Sequence, residues 1–265
     1  MNAIFLYCLA VASQRFGILV LLTTVMSDHH HTVIYDPSGR VIEFIEYLHR
    51  FVAKAGNALR DRRENFWSTD QPSIVYLETL DDVLEKLVYV ATNPVKDGLV
   101  ERVADWPGVN TLEQLLTGES VTIERPPIFF RRAGKMPERA TLQMKLPADA
   151  CDGAALITAL RQRVASFEAD AAHARAASST TVAGPTRVLE QSWLTFATSV
   201  ERPRDVRPQF AAKSPVARRA ARAVRREFLN AYRAARELWL DGAAAVFPPG
   251  TYWLREFAGV TVAPG

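Results

Sequence analysis

The stretch Met26-Ser-Asp-His-His-His-Thr-Val-Ile-Tyr35 places three histidines at the start of a run that is typical of a β-strand. Side chains alternate between the two faces of a strand, so His29 and His31 are expected to project from the same face. Two imidazoles at this spacing can bind one divalent cation. His30, which lies between them, is expected to point to the opposite face.

A second motif lies downstream, in the helix-like segment Tyr89-Val-Ala-Thr-Asn93-Pro94. Residues four apart stack on one helical face, so Tyr89 and Asn93 are expected to point the same way. Together with the histidines, this phenolic hydroxyl and amide oxygen suggest a metal-assisted strand-transfer site. Each motif alone also fits a simpler interpretation. The histidines suit an ordinary polar strand, Tyr89 a half-buried helix position, and Asn93 a cap at the helix end.

The composition of the 265-residue chain narrows the class of protein. An apolar share of 48% and a charged share of 23% are ordinary for a globular protein. The net charge of +3 is compatible with a nucleic-acid partner. The two cysteines, Cys8 and Cys151, are far apart and outside any C-x-x-C motif, which favours a reducing cytoplasm over a disulfide framework. We expect no membrane span, because no apolar segment reaches about 20 residues.

Hydrophobic periodicity predicts an α-β-β-α-β-α order for the first part of the chain. The elements are a buried helix at residues 2–16, a hairpin of strands at 18–25 and 31–35, a helix at 41–59, a strand at 73–77 and a helix that opens at Thr79 and bears Tyr89. This order predicts an α+β fold with a ferredoxin-like, split βαβ core whose N-terminal strand is missing. Such a sheet would have an unpaired edge or a gap.

The rest of the chain predicts a mostly helical extension. A short strand at 141–146, a helix at 156–175, a linker at 176–185 and a basic helix at 216–240 follow the first part. We therefore divide the chain into a catalytic domain at 1–116, an irregular or helical connector at 117–185 and a basic helical region at 186–265.

The two motifs carry a family resemblance. MSDHHHTVIYDPSGR (residues 26–40) and LVYVATNPVKDGLVERVADWPGV (residues 87–109) resemble the REP-associated tyrosine transposases, which are single-tyrosine HUH enzymes of the insertion-sequence transposase type. The likeness extends over about residues 2–116. Members of this family begin with a strand before the first helix, and this chain begins at the helix.

The resemblance implies a role for each motif residue. His29 and His31 match the HUH pair, although His30 replaces the usual apolar residue between them. Tyr89 matches the nucleophile, and Asn93 matches the position where relatives place a third metal-ligating side chain.

The implied activity is that of a DNA transposase, a single-strand endonuclease and strand transferase that forms a 5′-phosphotyrosine intermediate. Its expected cofactor is Mg²⁺ or Mn²⁺, and its expected substrate is single-stranded or hairpin DNA. One attacking tyrosine per strand is compatible with a homodimer, and the expected location is the bacterial cytoplasm, at the nucleoid. Two alternatives remain open: an inactive, truncated DNA-binding remnant of such a transposase, and a generic metal hydrolase that uses the two histidines.

Two groups of arginines are candidates for binding DNA phosphates. Arg60, Arg62 and Arg63 follow the helix at 41–59, and Arg218, Arg222 and Arg225 lie in the basic C-terminal helix. The usual alternative for an alanine- and arginine-rich helix is a solvated charged face.

Overall fold

The computed structural model describes residues 1–68, 72–147, 152–195 and 209–264, so Cys151 lies outside the described residues. The helices are α1 (Asn2–Phe16), α2 (Val41–Leu59), α3 (Leu80–Lys96), α4 (Leu112–Thr117), α5 (Gly153–Ser178), α6 (Pro185–Glu190), α7 (Pro215–Leu240) and α8 (Tyr252–Ala258). The strands are β1 (Leu19–Val25), β2 (His30–Tyr35), β3 (Tyr76–Leu77), β4 (Ser120–Glu124), β5 (Arg139–Gln143), β6 (Phe210–Ala211), β7 (Val246–Phe247) and β8 (Thr261–Val262). This mixture of helices and small sheets confirms the predicted α+β class.

The first helix is buried, as predicted. An apolar run from Ile4 to Ala12 supplies most of its buried side chains, and Tyr7 and Cys8 have no exposed surface. Gly17 ends the helix in the left-handed conformation, at φ 66°, which glycine adopts without a steric penalty. Across the described residues, we find no helix with the length and apolarity that a membrane crossing requires.

The predicted hairpin of β1 and β2 is confirmed. The two strands pair antiparallel from Leu19 opposite Tyr35 to Val25 opposite His30, with an irregularity after Val20. The turn closes where the Met26 N–H donates to the His29 carbonyl oxygen at 2.8 Å. The histidine segment therefore starts at the turn and enters the second strand.

The ferredoxin-like sheet is not confirmed. In the described ranges each sheet has two strands, and β3 pairs in parallel with β6 rather than with the hairpin. The predicted strand at 73–77 is reduced to Tyr76 and Leu77, and Tyr76 is 62% exposed. A strand that sequence analysis missed, β4, pairs antiparallel with β5.

The outer edge of β1 is contacted by later segments of the chain. Val25 N–H donates to the Val109 carbonyl at 2.8 Å, and Thr111 N–H donates to the Thr23 carbonyl at 3.0 Å. Further along the strand, Lys145 N–H donates to the Val20 carbonyl at 3.2 Å. These bonds satisfy part of the edge of β1 that faces away from β2.

The main hydrophobic core extends from Ile4 to Val164. It includes Leu156, Leu160 and Val164 of α5, and this helix packs against α3. A separate small cluster near the C-terminus contains Ala235, Phe247 and Val260. A helix of the predicted connector thus lies beside the helix that carries Tyr89.

Candidate active site

The hairpin brings His29 and His31 together. Their ring centroids are 4.9 Å apart, with the ring planes inclined by 76°. His31 lies opposite Thr24 in the β-ladder, and His29 precedes the strand at the turn. Both rings are partly exposed, so the pair lies at the surface of the sheet and can be reached by a ligand.

Asp28 fixes the orientation of the first of these rings. Its Oδ1 accepts a hydrogen bond from His29 Nδ1 at 2.7 Å, because a carboxylate can only accept. This bond leaves Nε2 of His29 with the lone pair that binds a metal. Carboxylate support of this kind is the usual outer shell of a metal-binding histidine.

Tyr89 of α3 lies next to His31, with 5.4 Å between the ring centroids. The helix begins at a capping box formed by Thr79 and Asp82, as the sequence predicted. The ammonium groups of Lys86 and Lys96 lie 4.8 and 4.9 Å from the centroid of the tyrosine ring. The structure therefore places a phenol, an imidazole pair and two cations in one region.

Sequence analysis did not single out Lys86 and Lys96. They stand three residues before and seven residues after Tyr89, at spacings that share one helical face. Helical periodicity around Tyr89 was the signal that could have identified them.

Asn93 follows Tyr89 by one helical turn and is 2% exposed. Its Oδ1 is buried and has no hydrogen-bond partner, and α3 continues to Lys96, so this side chain does not cap the helix end. A buried amide oxygen without a partner is costly unless a water or an ion satisfies it. This oxygen fits the role of a third metal ligand.

The three side chains that the sequence predicts as ligands have the chemistry of a divalent metal site, and the structure brings His29 and His31 together. Among the described residues, no three His, Cys, Asp or Glu side chains form a metal-binding cluster. The candidate ligands are instead two imidazoles and one amide oxygen, from His29, His31 and Asn93. Such nitrogen and oxygen donors suit Mn²⁺ and accept Mg²⁺.

His30 points away from this region. Its ring lies 5.1 Å from that of Phe5, and its Nε2 is 2.9 Å from Nε2 of His49, so one nitrogen donates and the other accepts. Burial, followed by the charges of His49 and the other histidines, lowers the pKa of His30 to about 3. His49 is half-buried and stacks on Trp67, with 4.6 Å between the ring centroids.

The two faces of the hairpin therefore contact different helices. His30 contacts α1 through Phe5 and α2 through His49, whereas His31 contacts α3 through Tyr89. The hairpin lies between α1 and α2 on one side and α3 on the other.

The first group of candidate DNA-binding arginines surrounds a tryptophan. The guanidinium carbons of Arg60 and Arg62 lie 5.0 and 5.5 Å from the ring centroid of Trp193, which is 47% exposed. Burial and the neighbouring Arg62 lower the pKa of Arg60. Arg62 also pairs with Glu64 at 2.9 Å, whereas Arg63 is exposed.

The three arginines of the second group have different surroundings. Arg218 and Arg222 line a surface depression of about 450 Å³ together with Lys86. Arg225 is half-buried, and its Nε has no hydrogen-bond partner. Because Lys86 also contacts the ring of Tyr89, the depression adjoins the candidate nucleophile.

We compared the chain with models of protein families, with curated proteins and with solved structures, and found no match in any of the three comparisons.

Proposed function

We propose that the chain is a metal-dependent DNA transposase that cleaves and rejoins single strands through Tyr89. One observation carries the proposal: the ring of Tyr89 lies beside His31, which lies beside His29, with 5.4 and 4.9 Å between successive centroids. Tyr89 is far from the two histidines in sequence, and the sequence predicts all three as parts of one site. The resemblance to the REP-associated tyrosine transposases agrees with this arrangement.

Tyr89 supplies the nucleophile in the proposed reaction. Its hydroxyl oxygen attacks a DNA phosphorus in line, a new O–P bond forms, and the bond to the leaving 3′-oxygen breaks. The products are a 5′-phosphotyrosine and a free 3′-hydroxyl. Attack by another 3′-hydroxyl reverses these bonds and rejoins DNA without an external energy source.

His29, His31 and Asn93 are the residues that would hold Mn²⁺ or Mg²⁺. When bound, the cation would polarise a phosphoryl oxygen and offset the charge that develops on phosphorus. Asp28 keeps His29 in the tautomer that binds a metal.

The two lysines beside Tyr89 stabilise negative charge at the site of the proposed reaction. Lys86 and Lys96 lie close enough to the tyrosine ring to attract an incoming phosphate and to stabilise a developing phenolate. Arg218 and Arg222 extend this positive surface towards the C-terminal region. A flexible single strand can follow such a surface, whereas a regular duplex keeps its phosphates on a fixed helix.

The same proposal extends to the fold, the DNA partner, the oligomeric state and the location of the protein. The hairpin between α1, α2 and α3 would correspond to part of a ferredoxin-like HUH core. Hairpin or single-stranded DNA would be the partner, a homodimer would supply two tyrosines, and the bacterial nucleoid would be the place of action.

A covalent-adduct assay tests the proposal. The full-length protein is incubated with end-labelled, hairpin-bearing single-stranded DNA and Mn²⁺, and the products are separated under denaturing conditions. We expect labelled DNA to migrate with the protein, to require the cation and to disappear in Tyr89→Phe. The matched control is Tyr35→Phe, because Tyr35 is an exposed tyrosine at the far end of β2.

The other outcomes separate the alternatives. Hairpin binding without an adduct, unchanged in His29→Ala, would support a non-catalytic DNA-binding protein. Cleavage that releases free phosphate ends and survives Tyr89→Phe would support a generic metal hydrolase.

A further inference from the structure

A pocket of about 270 Å³ lies between α3 and α5, next to the candidate nucleophile. Residues of both helices line it: Glu85, Val88, Tyr89, Thr92, Lys96, Arg163 and Phe167. Arg163 and Phe167 come from α5, beyond the part of the chain that resembles the transposase family. The extension therefore contributes directly to the surroundings of Tyr89.

The pocket carries uncompensated positive charge. Glu85 pairs with Lys213, so its carboxylate is already neutralised. Across the ranges that the structure describes, neither Lys96 nor Arg163 takes part in an ion pair. Two cations that converge on one pocket favour an anionic ligand, and arginine suits a phosphate because its donors match two oxygens.

The same pocket also presents an aromatic surface. Phe167 is half-buried and packs against the main core, which holds its ring in place. Val88 adds a second apolar contact. The volume falls just below the usual range of ligand pockets, about 300–1,000 Å³. A pocket of this size suits one nucleotide with an unstacked base rather than a duplex.

We propose that this pocket binds the nucleotide adjoining the phosphate that Tyr89 attacks, with Lys96 and Arg163 on phosphate oxygens and Phe167 stacked on the base. The inference rests on the proposed function, because it takes its ligand class from that reaction. It adds a role for α5: the helix positions a single strand so that one phosphate meets the tyrosine hydroxyl. Cations and a stacking ring are the two elements by which proteins bind single strands without reading sequence.

The phosphate contact is tested by equilibrium binding of fluorescein-labelled oligothymidine to the full-length protein. Arg163→Gln should weaken binding about tenfold, the loss expected for one charged hydrogen-bonding contact. It should also reduce the slope of log affinity against log salt concentration by about 0.7, the value for one phosphate contact on a single strand. Arg161→Gln is the matched control, since Arg161 is exposed on the same helix and does not line the pocket.

The stacking contact is tested by combining a protein change with a DNA change. Phe167→Leu keeps an apolar side chain against the core but removes the aromatic face. With normal DNA this variant should weaken binding about fivefold or more, in line with the contribution of base–aromatic stacking. With an oligonucleotide in which every site is abasic, the variant and the wild type should bind equally. A loss of the same size on abasic DNA would overturn the stacking assignment.

These binding measurements do not depend on the chemistry. If oligothymidine does not bind, or if Arg163→Gln and Arg161→Gln behave alike, the pocket assignment is wrong even when a Tyr89 adduct forms. If binding depends on Arg163 and Phe167 but no adduct forms, the proposed reaction is wrong while the pocket still binds single-stranded DNA.

Discussion

His30 and His31 are neighbours in sequence and occupy opposite environments. His30 is enclosed by Phe5, His49 and Trp67, with its pKa lowered to about 3. His31 lies against Tyr89, next to His29. Both His30 and His31 keep some exposed surface, so the two residues differ in their neighbours. The alternation of a strand directs one imidazole towards α1 and α2 and the next towards the candidate site.

Within residues 29–31, we expect the stability of the fold to depend on His30 and the chemistry of the candidate site to depend on His29 and His31. The face towards α1 and α2 should determine how well the hairpin is held against these two helices. The face towards α3 should determine metal binding and reaction rate. Substitutions on the two faces should therefore change different properties: stability on one face, and metal binding and reaction rate on the other.

His31→Ala should give the largest change. Removing one imidazole of the metal pair should lower the rate of adduct formation at least about 100-fold, because cation binding needs both rings. The free energy of unfolding should change by no more than about 0.5 kcal/mol, as for a surface substitution. Adduct kinetics and urea denaturation on the same preparation check both statements.

His173→Ala is the control for this prediction, because His173 is exposed on α5. A His31→Ala protein that unfolds much more easily than wild type would show that this face also supports the fold, and the separation would fail.

His30→Ala should produce the opposite signature. Its ring packs between Phe5, His49 and Trp67, so its loss removes these contacts and should destabilise the protein by about 1–2 kcal/mol. Below the unfolding transition, the affinity for Mn²⁺ should remain near that of wild type. Denaturation midpoints and calorimetric Mn²⁺ titration are the measurements, and a lost Mn²⁺ site in a folded His30→Ala protein would contradict the assignment of faces.

Asp28→Asn should have a smaller effect, and only on the affinity for the metal. The change removes the carboxylate that orients His29, and loss of such an outer-shell partner weakens metal binding about 10- to 100-fold. Calorimetric titration with Mn²⁺ measures this loss of affinity. Asp97→Asn is a matched control, because Asp97 is exposed just after α3. Equal affinities of the two variants would remove Asp28 from the site.

Acid should weaken the packing around His30 and His49. Folding lowers the pKa of His30 to about 3 and lowers that of His49 as well, mainly through burial. At pH values well above about 6.5, both histidines are neutral in the folded and the unfolded protein, so their contribution to stability is complete. As the pH falls from there towards 3, the unfolded chain binds protons that the folded protein does not. For His30 the free energy of unfolding should therefore fall by up to about 1.4 kcal/mol per pH unit, and His49 should change it in the same direction.

Urea denaturation between pH 7.5 and pH 5 measures this loss. A His30→Gln variant lacks one of the two titrating groups, so its stability should depend less steeply on pH. An identical dependence in the variant and the wild type would show that His30 does not contribute.

Local patterns predicted much of the fold. The apolar run in α1, the alternation in β1 and β2 and the Thr79–Asp82 capping box each specify an element through neighbours in sequence, and all three are present. Pairing at long range was not predictable in the same way. The partner of Tyr76 is Phe210, and the edge of β1 is contacted by residues 109–111 and Lys145, contacts that no local pattern encodes.

The candidate site was also predictable only where it depends on local sequence patterns. Strand alternation predicted that His29 and His31 share one face, and their rings do lie together although His29 is in the turn before β2. Helical periodicity predicted that Tyr89 and Asn93 belong to one helix. The environment of Tyr89 depends on packing between elements. Arg163 and Phe167 come from a helix that sequence analysis assigned to a connector, and only the contact between α5 and α3 brings them to the pocket.

The central claim is that Tyr89 itself becomes bonded to DNA, and mass spectrometry of the trapped adduct tests it most directly. After nuclease and trypsin digestion, we predict a nucleotide remnant on the peptide of residues 87–96, which follows Lys86, ends at Lys96 and contains Tyr89 as its one tyrosine. A remnant on a peptide without Tyr89, such as one carrying Tyr35, would contradict the account.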